Sequence, residues 1–480
     1  MSKRYVLRAT LTCLTAFHLG GLANTPATDK SLARDGRGRL YVPGTSIAGV
    51  LRALLSAQDT DAERSLFGYQ TGLAGQRSRL LVDHGYFLPG SPQPEIRDFV
   101  RINPHWGVAE DQHKFDSEVL PAGAKFSLRL EYEAPDLAND PASAHRGFLA
   151  LVKLLADSHQ MQFGAGFAKG LGRIGVENPA RDLALWRFDF PSQQSCQNYL
   201  TLLKLENSQD DWHLNPTGCN IPPMQLANLR SELTIGLPVQ IELQLTATGP
   251  FLVSSDEQGK TVDRMPYQEN GQYIIPGSTI RGALRHRAIR IVNTLLNAWG
   301  YRTVAPKCWA DVGEKAVEPL FGSTALASIL GITDCRLPAN AVLQEVHNVA
   351  IDRFTGGARD GRLFSSCVFW SKSTPLTIPL SITIRKVSNN DGLLGLLAHA
   401  LYDLATEDVA VGHAKTSGHG RVQCLSCKVS NWTQAITINN HQEFPAYALQ
   451  FQSLQTQFEA WLRATADRLV QEGFIQRMGN

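Results

Sequence analysis

The sequence predicts an α+β protein made of two tandem copies of one domain. Three observations carry that reading: matched blocks recur in one order, the opening segment alternates apolar and polar residues, and each half has helix-start signals after a Pro-Gly turn.

The first element is a strand. Tyr5, Leu7, Ala9, Leu11 and Cys13 alternate as in a half-buried strand, and ATLTCLTAF recurs as LQLTATGPF, with Thr12 on Thr246 and Phe17 on Phe251. Next, LYVPGTSIAGVLR (Leu40 to Arg52) recurs as YIIPGSTIRGALR (Tyr273 to Arg285), a turn followed by a helix from about Ile47. Leu66-Phe67-Gly68 answers Leu320-Phe321-Gly322, the second copy carrying a longer insert with Trp309. VRINPHWGVAEDQHKF (Val100 to Phe115) aligns without gaps on VAIDRFTGGARDGRLF (Val349 to Phe364), a long hairpin in each half. Each copy ends in a glycine-rich run, with Gly170-Leu171-Gly172-Arg173 over Gly418-His419-Gly420-Arg421. The repeat sets the domains at 1–192 and 238–480, the second ending in an amphipathic helix of Phe451, Leu454, Phe458, Trp461, Leu462 and Leu469 that covers its own domain. The Ser-, Asn-, Gln- and Pro-rich stretch 193–237 reads as a linker.

Composition bounds the function. A chain of 480 residues is too long for one ordinary core, and 43% hydrophobic with 19% charged residues is typical of a soluble globular protein. No stretch is apolar enough to span a membrane, so the expected location is the cytoplasm. The net charge is only +2, so any nucleic-acid contact needs positive charge placed locally. Eight scattered cysteines form no disulfide framework, and Cys424-x-x-Cys427 reads as strand-borne thiols rather than a zinc site.

Several residues are candidates for chemistry. In Gly44, Thr45, Ser46 and in Gly277, Ser278, Thr279 the small residues and N-cap types suit a helix N-terminus that receives a phosphate. Gly49 with Arg52, and Gly282 with Arg285, share one helix face, where a backbone can approach and be gripped. The bland reading is a capped helix with a surface arginine. Asp29 and Asp263 lie in the loop before that helix, where a carboxylate beside a phosphodiester can act as a base or hold a divalent cation. The hairpins offer His105, Trp106 and Phe115 in one copy and Arg353, Phe354 and Phe364 in the other, side chains suited to stacking on unpaired bases. Arg173 and Arg421 close the glycine runs, which allow close backbone approach to a ligand.

Together, the PGTSIAGVLR and PGSTIRGALR segments, the NVAIDRFTGGARDGRLF segment and the terminal glycine runs resemble the RAMP superfamily. More narrowly they resemble the backbone subunit of type III CRISPR effector complexes, and two such units in one chain resemble the fused double-backbone subunit of type III-D systems. The resemblance implies two ferredoxin-like (RRM-like) domains, each with a thumb β-hairpin and a glycine-rich loop. It implies binding of a guide RNA and cleavage of complementary single-stranded target RNA at Asp29 and Asp263 with a divalent cation, Mg2+ or Mn2+. The other backbone, small and large subunits of the complex are the implied protein partners. Copy one departs from the pattern at Asn103, where copy two has Asp352. Two further readings are a scaffold that binds guide RNA without cutting, and a precursor-processing nuclease using a histidine such as His18.

Overall fold

The structure is a computed structural model that describes residues 3–21, 28–103, 109–134, 142–157, 161–190, 192–206, 222–226, 231, 233, 235–254, 262–385, 391–431, 436–438 and 452–477. The chain divides into two compact units. One comprises Met1–Arg97, Asp116–Gly166 and Leu171–Leu237; the other comprises Asp98–Phe115, Phe167–Gly170 and Pro238–Asn480. The hairpin segment Asp98–Phe115 and the turn Phe167–Gly170, expected in the first domain, therefore group with the second unit. Among the described residues the strands of this hairpin pair with each other and with no strand of the parent sheet.

The first half runs β1 (Lys3–Cys13), α1 (Gly44–Ser56), α2 (Thr60–Phe67), β2 (Leu80–Val82), a hairpin of β3 (Glu95–Ile102) and β4 (Ala109–Val119), β5 (Lys125–Ala134), α3 (Ala142–Ala156), β6 (Arg173–Gly175) and β7 (Leu183–Asp189). Its antiparallel sheet has the order β6-β1-β5-β2, with β7 pairing on the same side of β1 as β6. Leu7 lies opposite Leu130 and Leu185. The second half repeats this with β8 (Val239–Ala247), α5 (Gly277–Ala298), α6 (Trp309–Phe321), β9 (Leu330–Ile332), a hairpin of β10 (Leu343–Ile351) and β11 (Ala358–Phe369), β12 (Thr377–Ile384), α7 (Asp391–Ala405) and β13 (Val422–Ser430). The sheet order is β9-β12-β8-β13. In both halves the strands of the strand–helix–strand–strand–helix–strand core therefore lie fourth, first, third, second across the sheet. Such an order forms when two crossovers place their helices on one face, where the apolar stripes of those helices are buried. Ile47, Leu51 and Leu55 supply that stripe in α1, and Ile280, Leu284 and Ala288 supply it in α5.

Two expectations change here. β1 is buried on both faces rather than one, since Val6, Arg8 and Thr12 are as covered as Leu7 and Leu11. The cause lies in the stretch read as a linker. Its first part is a helix, Gln193–Glu206, whose Tyr199 and Leu202 pack with Val6, Ala184, Trp186 and Phe188 on the second face of the sheet. Arg4 and the Tyr199 hydroxyl both bond the Glu131 carboxylate, at 2.9 and 2.8 Å, pinning that helix to the strands.

The C-terminal helix α8 (Gln452–Gln471) packs on α7 and buries Phe458, Leu462 and Leu469 within its own unit, as its apolar stripe predicts. Cys424 and Cys427 stand on β13, where burial pushes their thiols up to about 12 and about 11. No helix among the described residues is long and apolar enough to cross a membrane.

Candidate functional site

The loop aspartates are held by the outgoing strand of each hairpin. Asp29 is exposed, and its backbone N–H donates to Asp116 Oδ1 at 2.7 Å while the Asp116 N–H donates to Asp29 Oδ2 at 3.0 Å. Asp116 lies on β4. In the second copy the exposed Asp263 meets Ser365 on β11: the Asp263 N–H donates to Ser365 Oγ at 3.2 Å, and the Ser365 N–H donates to Asp263 Oδ2 at 2.7 Å. Ser365 Oγ also stands 3.4 Å from Asp263 Oδ2. One residue further along each loop, the Lys30 carbonyl accepts from Glu118 N–H at 2.8 Å and the Arg264 carbonyl accepts from Cys367 N–H at 2.9 Å. Asp29 and Asp263 thus occupy the same place in the two copies, which fixes the register of the second loop. Asp256, the other acid near that loop, lies outside the described residues.

In each pair one aspartate oxygen is used and Oδ1 carries no hydrogen bond among the described residues. What results is an exposed carboxylate held at its backbone and at one oxygen, with no hydrogen bond to the second among the described residues. Sequence reasoning missed Asp116 and Ser365. They align with one another, but a carboxylate and a hydroxyl share no obvious signature.

The helix start is built differently from the expectation. Helices α1 and α5 begin at Gly44 and Gly277, with Pro43 and Pro276 at the N-cap and no side chain capping from Thr45, Ser46, Ser278 or Thr279. The first N–H of each helix is bonded from outside: Gly44 donates to His84 Nδ1 at 2.9 Å, and Gly277 donates to Asp334 Oδ1 at 2.8 Å. A Cβ on Gly44 would collide with the Val82 carbonyl, and one on Gly277 with the Ile332 carbonyl, so these glycines serve helix–strand packing. Gly49 and Gly282, by contrast, face open space.

Arg52 and Arg285 are committed within their own units. Arg52 pairs with the buried Glu63 and donates to the Gly68 carbonyl at 3.2 Å; Arg285 pairs with Glu314 and donates to the Gly322 carbonyl at 3.1 Å. Each arginine ties the first helix to the end of the next. Both therefore hold their own unit together in this structure, a contact the sequence did not reveal. The two glutamates do not align with each other, so repetition alone did not reveal them.

A RAMP superfamily profile matches residues 10–175 and 244–423, from the first strand to the last core strand in each half. The chain belongs to the RAMP superfamily. No curated protein matches it.

In this RAMP protein the glycine runs fold back on the chain leaving the first strand. Gly164 and Gly412 adopt φ of +72° and +94°, and a Cβ there would strike the carbonyls of His18 and Leu252. Their glycines are therefore needed by the loop itself. Arg173 and Arg421 sit beside them as equivalents, their carbonyls accepting from Leu14 and Thr248 N–H at 2.8 and 3.1 Å. His18 is buried, with Nδ1 at 2.7 Å from the Glu118 carbonyl and 3.2 Å from Ser117 Oγ. That placement suits a structural histidine.

The two RAMP hairpins differ in kind. His105 and Trp106 lie outside the described residues. Phe115 is not free to wedge between bases: it stacks on Phe99 with centroids 5.2 Å apart, and Lys169 Nζ lies 4.0 and 4.3 Å from the two rings. In the second hairpin Phe354 is 97% exposed, Leu363 70% and Phe364 47%. Asp352 builds the tip that presents Phe354. Its Oδ1 accepts from Phe354 and Thr355 N–H, both at 2.9 Å, and these bonds hold its carboxyl below the usual range. Asn103, at the matching position of copy one, instead donates to Glu110 at 3.3 Å.

Proposed function

We propose that this chain is a double-backbone subunit of a type III CRISPR RNA-guided complex, of the type III-D kind, that binds guide RNA and cleaves complementary target RNA at Asp29 and Asp263. Family membership supports a CRISPR-associated subunit. The strand order of each sheet supports ferredoxin-like domains carrying thumb hairpins. The observation that carries the reading is the repeated one: in both copies an exposed loop aspartate is fixed to the outgoing thumb strand with one oxygen left open.

The chemistry follows from that oxygen. When the thumb displaces a target nucleotide from its stack, the 2′-OH can line up with its own phosphate. The open Oδ1 takes the 2′-OH proton, O2′ bonds phosphorus, and the O5′ of the next nucleotide leaves with its bonding pair and takes a proton from water, the aspartate later returning its proton to solvent. The products are a 2′,3′-cyclic phosphate and a 5′-hydroxyl. DNA lacks the nucleophile and would not be cut. Base pairing with the guide supplies the sequence, and the protein holds backbone and shape.

The donor set also fits a divalent cation. Asp29 with Asp116, or Asp263 with Ser365, offers hard oxygen ligands. Such ligands suit Mg2+ or Mn2+, which keep waters and borrow phosphate oxygens. A bound cation would stabilise charge developing on the phosphate.

The hydrogen bonds of Asp29 and Asp263 also favour a second reading, a scaffold in which both aspartates are structural. Asparagine separates the two, because it keeps an oxygen acceptor while removing the charge. With Asp29→Asn and Asp263→Asn combined, guide-bound assembly is expected to persist while target cleavage is lost. Retained cleavage would support the scaffold reading, with cutting done elsewhere in the complex.

A further inference from the structure

We infer that Asp116 and Ser365 are positioning residues for the loop aspartates, and that the difference between them makes the two cleavage sites unequal. The inference rests on the cleavage reading above. It starts from one exchange: the same strand position, bonded to the same loop amide, carries a carboxylate in copy one and a hydroxyl in copy two.

The positioning role follows from the bonds. Each strand residue accepts the aspartate N–H through its side chain and donates its own N–H to the aspartate Oδ2. These two bonds fix where the remaining Oδ1 points. A general base works only within hydrogen-bond reach of the proton it takes, so a small rotation of the aspartate removes it from play.

The inequality follows from charge. At the first site a phosphodiester meets two neighbouring carboxylates, Asp29 and Asp116. At the second Asp263 is joined instead by a hydroxyl that can donate to the carboxylate at 3.4 Å. Two carboxylates hold a hard divalent cation more tightly than a carboxylate and a hydroxyl do, because affinity rises with the charge count of the ligands. The first cut therefore needs less divalent cation than the second, although both aspartates occupy equivalent places.

The test is a reciprocal exchange in the full chain, assembled with guide RNA, with each cut on one target followed separately. Asp116→Ser is expected to raise the Mg2+ concentration for half-maximal cutting at the first position, and Ser365→Asp to lower it at the second, each leaving the other cut unchanged. Mn2+ titrations of the assembled complex followed by electron paramagnetic resonance should show the same two shifts in binding without any cutting. Ser365→Ala should slow the second cut by roughly three- to tenfold, the range for one hydrogen bond, and Ser365→Thr should restore it. Equal Mg2+ dependence at both cuts, unmoved by either exchange, would overturn the inference while leaving the cleavage reading intact. Absence of any cutting by the unaltered complex would overturn both.

Discussion

Asp29 and Asp116 bond each other's backbone: the amide of Asp29 reaches Asp116 Oδ1 at 2.7 Å, and the amide of Asp116 reaches Asp29 Oδ2 at 3.0 Å. This exchange joins the loop after the first strand to the returning strand of the thumb. Asp263 and Ser365 repeat it in the second copy. Each loop aspartate is thereby tied to the outgoing hairpin strand of its own copy.

Arg52 and Arg285 serve stability first. Arg52→Ala would leave the Glu63 carboxylate, 5% exposed, without its cation. The expected loss is about 2–3 kcal/mol, a fall of about 5–10 °C in the unfolding midpoint of that unit. Thermal scans of Arg52→Ala should show this shift. Arg52→Lys should recover only part of it, because one ammonium cannot reproduce the fork to Glu63 and the Gly68 carbonyl.

The thumbs should differ in salt dependence. In the first, Arg101 pairs with Glu110 at 3.0 Å and Lys114 with Asp98 at 3.6 Å. In the second, Arg353, Arg359 and Arg362 are exposed and engage no partner among the described residues. Replacing these three with alanine should reduce the magnitude of the log–log salt slope of RNA binding by about two, since each single-strand phosphate contact contributes about 0.7. Replacing Arg101 and Lys114 should change it little. Filter binding across a salt series reads both.

The tip of the second thumb should depend on acidity. Hydrogen bonds from Phe354 and Thr355 hold the Asp352 carboxyl below its usual range. A carboxylate depressed in the folded state stabilises it above the unfolded value, near 3.9, and that contribution is lost as pH falls through the lower folded value. Amide hydrogen exchange at Phe354 and Thr355 should therefore stay slow at neutral pH and quicken below about pH 4 once corrected for intrinsic rates. Asp352→Ala should abolish the protection at every pH.

Much of this was legible in the sequence because the fold is written twice. Repetition located both strand–helix cores, both hairpins and the loop aspartates, and family features confined the reading further. Three features stayed hidden for physical reasons. Among its described residues, helix Gln193–Glu206 buries Tyr199 and Leu202 in one small cluster, too short an apolar stripe to stand out from a polar stretch. The partners of Arg52 and Arg285 come from non-matching positions on the next helix, so alignment could not pair them. The helix starts were misassigned because Thr45 and Ser46 have the chemistry of caps, yet the Pro-Gly turn begins the helix earlier and leaves its first N–H to His84.

Mapping cuts on a guide-complementary target tests the central claim most directly. Asp29→Asn should erase one cut and Asp263→Asn a different one, each leaving the other and the assembly unchanged. If both single variants, and the two combined, cut at every position as the unaltered protein does, the loop aspartates are not the cutting groups.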